Sequence, residues 1–312
     1  MRQKLGIADL VATGPKTSNE LALATKTHGP TLYRFLRALT SLGLFSADSA
    51  GGFRNTQLSD ALRTDHPESI RPWALMLGAP FFWKPMGELH QAITTGQPAF
   101  DQVYGDSFFR YLAGHPGDAA VFDGAMTAGS SSVVTPLLAA YDFSRFTRIV
   151  DIGGGHGALL EAILTANPNL QGVLYDLPGV VAGADRLRTG NVAGRCEILG
   201  GDFFQGVPAN ADAYLLKGII HDWDDNDAVK ILKNCRRSIH PEGRLLLLET
   251  VLNPSSEPAK GLMDMLMLTL VGGRERTEPD FRALLQRAGF SLSRVIQTSG
   301  PDIIESLPSP FD

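Results

Sequence analysis

Cysteine is nearly absent: Cys196 and Cys235 are the two in 312 residues. They lack C-x-x-C spacing, which excludes a disulfide framework and a zinc site built from these thiols alone. Two isolated thiols read as reduced core residues of a cytoplasmic protein. No apolar run reaches the roughly 18 residues that a membrane span requires. The first ten residues carry Arg2, Lys4 and Asp9 instead of the unbroken apolar core of a signal peptide. Neither sign of charge dominates, since 28 Lys and Arg against 33 Asp and Glu leave a net charge of −5. Such a balance argues against a surface built mainly to neutralise phosphates. Internal repeats and low-complexity tracts are also lacking. Apolar residues are plentiful, at 44% against 20% charged. That composition supplies a sizeable core and excludes general disorder, over a length sufficient for two domains.

The chain changes texture near Tyr141. Before it, helices joined by polar turns are expected. Leu32, Phe35, Leu36, Leu39, Leu42 and Leu44 fall on helical spacing, and Gly43 marks a helix end. Residues 46–52 form a turn cluster, and Gly52 to Thr56 returns as a short ribbon. Helices followed by a ribbon resemble a winged helix. Between Phe81 and Ala140 aromatic residues crowd helical segments. After Asp142, strands alternate with helices: Arg148 to Ile152, a helix over Ala158 to Ala166, then strands at Gln171 to Leu177, Cys196 to Leu199, Ala213 to Leu216 and Arg244 to Glu249. This order calls for βαβ units and a parallel sheet. The last two strands, Ser291 to Thr298 and Asp302 to Leu307, leave room only for an antiparallel hairpin. The expected domains are 1–140 and 141–312.

The most informative segment is Gly153-Gly154-Gly155-His156-Gly157, between a strand and a helix, where missing side chains let backbone approach a ligand. Gly153, Gly155 and Ala158 satisfy a dinucleotide pattern, so on the loop alone a nicotinamide-dependent oxidoreductase stays open. The absence of Lys-Ser/Thr at Walker spacing excludes a P-loop. Three acids sharpen the reading. Asp151 precedes Gly153 by two residues, where a carboxylate suits a cationic ligand head and repels a pyrophosphate. Asp176 ends the second strand, placed to accept ribose hydroxyls. Asp202 follows the third strand, and Phe203 beside it offers a face for a purine. Each alone reads as a turn or cap residue. Three at successive strand ends, on the edge where open sheets bind ligands, form a pattern.

These residues, with Asp176-Leu177-Pro178, Gly201-Asp202-Phe203-Phe204, the Lys217-Gly218-Ile219-Ile220-His221-Asp222-Trp223 run and Gly272-Gly273-Arg274-Glu275-Arg276-Thr277, resemble the S-adenosylmethionine-dependent O-methyltransferases. Within that family the resemblance is to the group containing the plant caffeate, the hydroxyindole and the bacterial natural-product enzymes. It covers nearly the whole chain. It implies a Rossmann-like α/β methyltransferase sheet with a terminal antiparallel hairpin. A mainly helical, winged-helix-like domain for dimerisation and substrate closure would precede it. It also implies S-adenosylmethionine as cofactor, touched by Asp151, Gly153, Gly155, Asp176, Leu177, Asp202, Phe203 and Lys217. The family base falls on His221, and its supporting acids on Glu249 and Glu275, with Glu278 a rival for the latter place. The chain begins within what is usually the family's second helix, which weakens the expectation of a homodimer.

The chemistry is coherent with these residue types. Methyl transfer to oxygen is an in-line displacement that depends on positioning, and a phenol with a pKa of about 10 needs a base near neutrality. A histidine, His221, can take that proton, and Glu249 on its other nitrogen would fix its tautomer and stabilise the imidazolium. Taken singly, a histidine in the place of His221 reads as a strand cap. Asp222, Asp224 and Asp225 beside it are expected to cap the following helix and hold no metal. Phe109, Phe122, Met126, Trp223, Met263 and Leu266 are candidate walls for a small aromatic, hydroxylated acceptor, although residues of these types on helices also serve as core. The competing readings are a family member with altered chemistry and a winged-helix DNA-binding regulator. For the regulator, eight Lys and Arg against five acids within residues 1–66 make a weak phosphate footprint. No nucleic-acid or membrane partner is expected.

Overall fold

The computed structural model describes residues 5–255 and 257–309. The chain forms two compact units, one running to Pro80 and the other from Phe81 onward.

The front unit pairs the helices Ser18–Thr25 and Gly29–Ser41 with a three-stranded sheet of β1 (Lys16–Thr17), β2 (Phe45–Ala47) and β3 (Gly52–Asn55), in the order β1-β3-β2. Thr17 opens the first helix through a capping box with Glu20. Leu32, Leu36 and Leu39 line one helical face and pack with Leu21, Phe45 and Phe53. The helix-and-ribbon order is therefore as expected. Leu42 differs: it sits at the helix C-cap and is 61% exposed, because the chain turns through Gly43 at φ 74° instead of continuing the stripe.

The second unit is built on seven strands: β4 (Arg148–Ile152), β5 (Gln171–Asp176), β6 (Cys196–Gly200), β7 (Ala211–Lys217), β8 (Ile239–Glu249), β11 (Phe290–Ile296) and β12 (Asp302–Pro308). Two short strands, β9 (Val251–Leu252) and β10 (Arg276–Thr277), pair with each other separately. The large sheet runs β11-β12-β8-β7-β4-β5-β6, with β4 to β8 parallel and β12 antiparallel to both β8 and β11. Its central strands are apolar on both faces because helices cover both. Val150, Ile152, Leu216, Leu245 and Leu247 pack to one side, and Ile149, Leu174, Leu215, Leu246 and Leu248 to the other. Strand order reverses at β4, so the carboxyl ends of β4, β5, β7 and β8 open on one crevice. The terminal hairpin matches the reading of the sequence.

The boundary between the units lies some sixty residues before the 140/141 division expected from texture. Helices Pro116–Ser132 and Val134–Ala140 pack on helix Ala158–Ala166, and Leu137 and Tyr141 share the core of Leu159, Leu160 and Ile163. Their apolar faces find partners beside the sheet, and that contact defines the unit. Among the described residues no helix is long and apolar enough to cross a membrane.

Candidate active site

Four parallel strands deliver charge to the crevice. Asp151 lies within β4, Asp176 ends β5, Lys217 ends β7 and Glu249 ends β8. The loop after β4 crosses the same edge. Gly153, Gly155 and Gly157 take φ values of 66°, 62° and 80°, a region that penalises any residue with a Cβ. A Cβ on Gly153 would lie 2.3 Å from Ile219 Cδ1, so the loop after β7 closes on this glycine. A Cβ on Gly155 would meet nothing within 4 Å, and the loop there faces open space.

Around that space the acids are differently bound. Asp151 is buried, and its Oδ2 has no hydrogen-bond partner. Burial pushes its carboxyl up to about 7, although Lys217 opposes the shift. Burial likewise lowers the Lys217 ammonium from its ordinary value, against the fields of Glu249, Asp151 and Asp222. Asp176 is held by its own turn: Oδ2 accepts from the Gly155 N–H at 2.8 Å and Oδ1 from the Leu177 N–H at 2.7 Å. Burial still raises its pKa. Leu177 beside it is 44% exposed, an apolar surface on the rim. Asp202 shapes the loop after β6 by accepting from the Phe204 N–H at 2.8 Å. Phe203 stands edge-on to Trp223, with ring centres 6.0 Å apart.

His221 lies on a short 3-10 turn, Ile220–Asp222, directly after β7. Its Nδ1 is 2.9 Å from Glu275 Oε1 and 3.7 Å from Glu249 Oε2, and its Nε2 is 3.6 Å from Asp222 Oδ1. Burial alone would lower the imidazole pKa, but Glu249, Asp222 and Glu275 outweigh it and raise the group to about 10. Burial also raises Asp222, to about 7, with His221 opposing.

The sequence reading gave the ring-orienting contact to Glu249; in the structure it falls to Glu275, because Glu249 is held by the backbone of the turn. Glu275 makes the contact with the ring. Glu249 spends Oε1 on the backbone N–H groups of Ile219 and Ile220, at 3.1 and 2.7 Å, and turns Oε2 toward the ring without a hydrogen bond. Glu278, the rival to Glu275, sits in the first turn of helix Glu278–Arg287 and pairs with Arg282 on the surface.

Of the three acids after His221, Asp224 and Asp225 stand at the start of the following helix as expected, and Asp222 does not. Asp224 is the N-cap of helix Asp225–Ser238 and accepts from the Asn226 and Asp227 N–H groups. Asp222 is instead part of the His221 cluster. Asp225 receives Arg274 and Arg276, because the following turn folds back over the helix start. Among the described residues, His221, Glu249 and Glu275 are the only group of three or more His, Cys, Asp or Glu side chains with metal-ligand spacing.

The expected acceptor walls are all half-buried. Phe109 stacks on Trp223 at 5.7 Å and 24°, and Phe122 meets Phe109 edge-on at 6.3 Å. Met126 is on helix Pro116–Ser132, while Met263 and Leu266 are on Pro258–Leu270. That last helix is tied to the site through Asp264, whose Oδ1 accepts from the Glu275 N–H at 2.8 Å. The sequence reading missed Asp264 and Arg276. For Arg276 a signal existed in the Gly-Gly-Arg-Glu-Arg-Thr run, but its target could not be read.

An open glycine cradle at a sheet switch point, rimmed by acids at strand ends, defines a nucleoside-binding α/β enzyme. Comparison with known proteins gives the family. Residues 86–291 match the model of the O-methyltransferase domain and residues 3–65 that of the O-methyltransferase dimerisation domain. The phenazine O-methyltransferase PhzM of Lysobacter antibioticus is 44% identical, over 98% of this chain and 90% of that protein. The 8-amino-8-demethylriboflavin N,N-dimethyltransferase of Streptomyces davaonensis is 38% identical, over 93% and 84%. The crystal structure of NcsB1 from neocarzinostatin biosynthesis, in complex with S-adenosylmethionine and 2-hydroxy-5-methyl naphthoic acid, superimposes with a TM-score of 0.86. Its identity is 35%, over 98% of this chain and 93% of that one. The chain belongs to the S-adenosylmethionine-dependent O-methyltransferase family.

The residues present fit that cofactor. The space facing Gly155 admits a ligand against bare backbone, and the unpartnered, buried Asp151 Oδ2 offers a carboxylate to a cationic end.

Proposed function

We propose that this protein methylates a hydroxyl of a small, planar aromatic metabolite, with His221 as general base. The observation that carries this reading is the hydrogen bond from one ring nitrogen of His221 to buried Glu275, a carboxylate placed to orient the ring and stabilise its charged form. Asp176 and Leu177 would hold the ribose side of S-adenosylmethionine, Asp202 and Phe203 its adenine, and Asp151, Gly153, Gly155 and Lys217 its methionine end. When bound, the cofactor supplies an electrophilic methyl group on a positively charged sulfur.

The chain's own residues then act in three ways. The Phe109–Trp223 stack orients a flat ring. Burial excludes water from the cluster. His221 Nε2 takes the hydroxyl proton as the oxygen attacks, and Glu275 and Glu249 stabilise the imidazolium. The neighbouring carboxylates raise the ring to about 10, so once it has released its proton the imidazole is a stronger base than a free histidine. In the ligand-free protein at neutral pH the ring therefore holds its proton. Further positive charge entering the cluster favours its release.

The match of residues 3–65 to the dimerisation model supports a homodimer, which light scattering of the purified chain would test. Because one relative is named for N-methylation, the assay should pair each planar phenol with its aniline counterpart, using S-adenosylmethionine labelled in the methyl group. The expected result is transfer to phenols, lost by about 10²–10⁴-fold in His221→Ala while S-adenosylhomocysteine still binds. Asp176→Ala should do the reverse and mainly weaken cofactor binding. Transfer to anilines alone, or parallel loss of turnover and binding in His221→Ala, would refute the assignment.

A further inference from the structure

Arg276 does not touch the imidazole, yet its surroundings are organised around it. The side chain is fully buried. Its Nη1 donates to the Ile220 carbonyl at 2.8 Å and its Nη2 to the Trp223 carbonyl at 2.8 Å. These two carbonyls flank His221 and Asp222. The same guanidinium donates from Nε and Nη2 to Asp225 Oδ1, at 3.1 and 2.8 Å. That ion pair offsets the cost of burying the charge.

Backbone from the same segment completes the hold. The Arg274 N–H donates to the His221 carbonyl at 2.8 Å. Gly273 packs so closely that a Cβ there would lie 2.0 Å from the His221 carbonyl oxygen. On the other side Glu249 takes the N–H groups of Ile219 and Ile220. The turn is therefore gripped by donors on its carbonyls and by an acceptor on its amides. A 3-10 turn of three residues has little hydrogen bonding of its own to fix it.

We propose that Arg276 is a positioning residue: its guanidinium fork, anchored by Asp225, fixes the backbone from Ile220 to Trp223 and so sets the placement of His221 against Glu275, Glu249 and Asp222. A lysine could not replace it, since a point ammonium lacks the planar fork that spans two carbonyls and a carboxylate together. The inference rests on His221 being the base only for its catalytic consequence, so its test is independent of turnover.

The experiment is a ¹³C-histidine NMR titration of the ligand-free full chain, with S-adenosylhomocysteine binding measured in parallel. In Arg276→Lys the cofactor Kd should stay within about threefold of wild type, while the apparent pKa of His221 falls by about one unit or more as the ring drifts from its carboxylates. Asp225→Ala, which leaves the arginine in place but unanchored, should give a smaller shift in the same direction. A purely structural role would lower the melting temperature and leave the His221 titration of the folded protein superimposable on wild type. That result overturns the proposal. Should Arg276→Lys fail to fold, Asp225→Ala decides by the same criterion. If instead His221→Ala keeps its turnover while Arg276→Lys shifts the titration, the base assignment fails and the positioning role stands.

Discussion

Replacing Glu249 with glutamine removes one charge from the cluster and little else. Glutamine is nearly isosteric and can still accept the Ile219 and Ile220 N–H groups through its amide oxygen. What disappears is the negative charge 3.7 Å from His221 Nδ1. At an effective dielectric of about 20, two unit charges at that separation attract by roughly 4–5 kcal/mol, equivalent to about three pKa units. Burial raises the Glu249 carboxyl from its ordinary value, with the His221 charge opposing, and the other carboxylates of the cluster share the field on the ring. The expected fall in the His221 pKa is therefore about one to three units, from about 10 in the wild type. The assay is the titration of the His221 imidazole signals in ligand-free protein, read as an apparent pKa of the coupled cluster. The sign also fixes the effect on stability. A raised histidine pKa contributes fully below the unfolded value of about 6.5 and is lost as pH rises through the folded value. Wild-type protein should thus lose stability between about pH 6.5 and pH 10, and Glu249→Gln should lose less over that interval. An unshifted or raised His221 titration in the variant would refute the electrostatic account of the site.

The glycine loop separates strain from occlusion. Gly155→Ala should cost only about 1–2 kcal/mol for its positive φ, because its Cβ meets nothing, yet weaken S-adenosylhomocysteine binding by calorimetry. Gly153→Ala adds a contact with Ile219 and should lower both melting temperature and binding. Asp151→Asn relieves a carboxyl that burial raises to about 7. The wild-type contribution is present below about pH 3.9 and lost as pH rises through the folded value. The melting temperature of the variant relative to wild type should therefore be higher at about pH 8 than at about pH 5.5, while cofactor affinity falls. Glu278→Gln breaks only the exposed pair with Arg282. Turnover should be unchanged, and stability should move by less than about 1 kcal/mol in a denaturant titration.

The sequence by itself determined the elements and the ligand edge. Helix Ala158–Ala166 and strand β4 fall where the periodicity places them, since continuous apolar runs between helices can only be buried parallel strands. A glycine loop after the first of these, with acids at the following strand ends, places a ligand at the sheet edge whatever the details of packing. The residues around His221 were also legible as types, but not as partners. Which glutamate touches the ring depends on whether segment 273–277 folds back over the turn after β7, a contact between residues some fifty positions apart. The tertiary structure gave that contact to Glu275, left Glu249 to hold backbone amides, and drew Asp222 out of the helix cap. It also moved helices 116–140 to the sheet-bearing unit, because an apolar face belongs to whatever covers it. Arg276 shows the same limit: a sequence shows an arginine, and only the fold shows two carbonyls and a carboxylate converging on its fork.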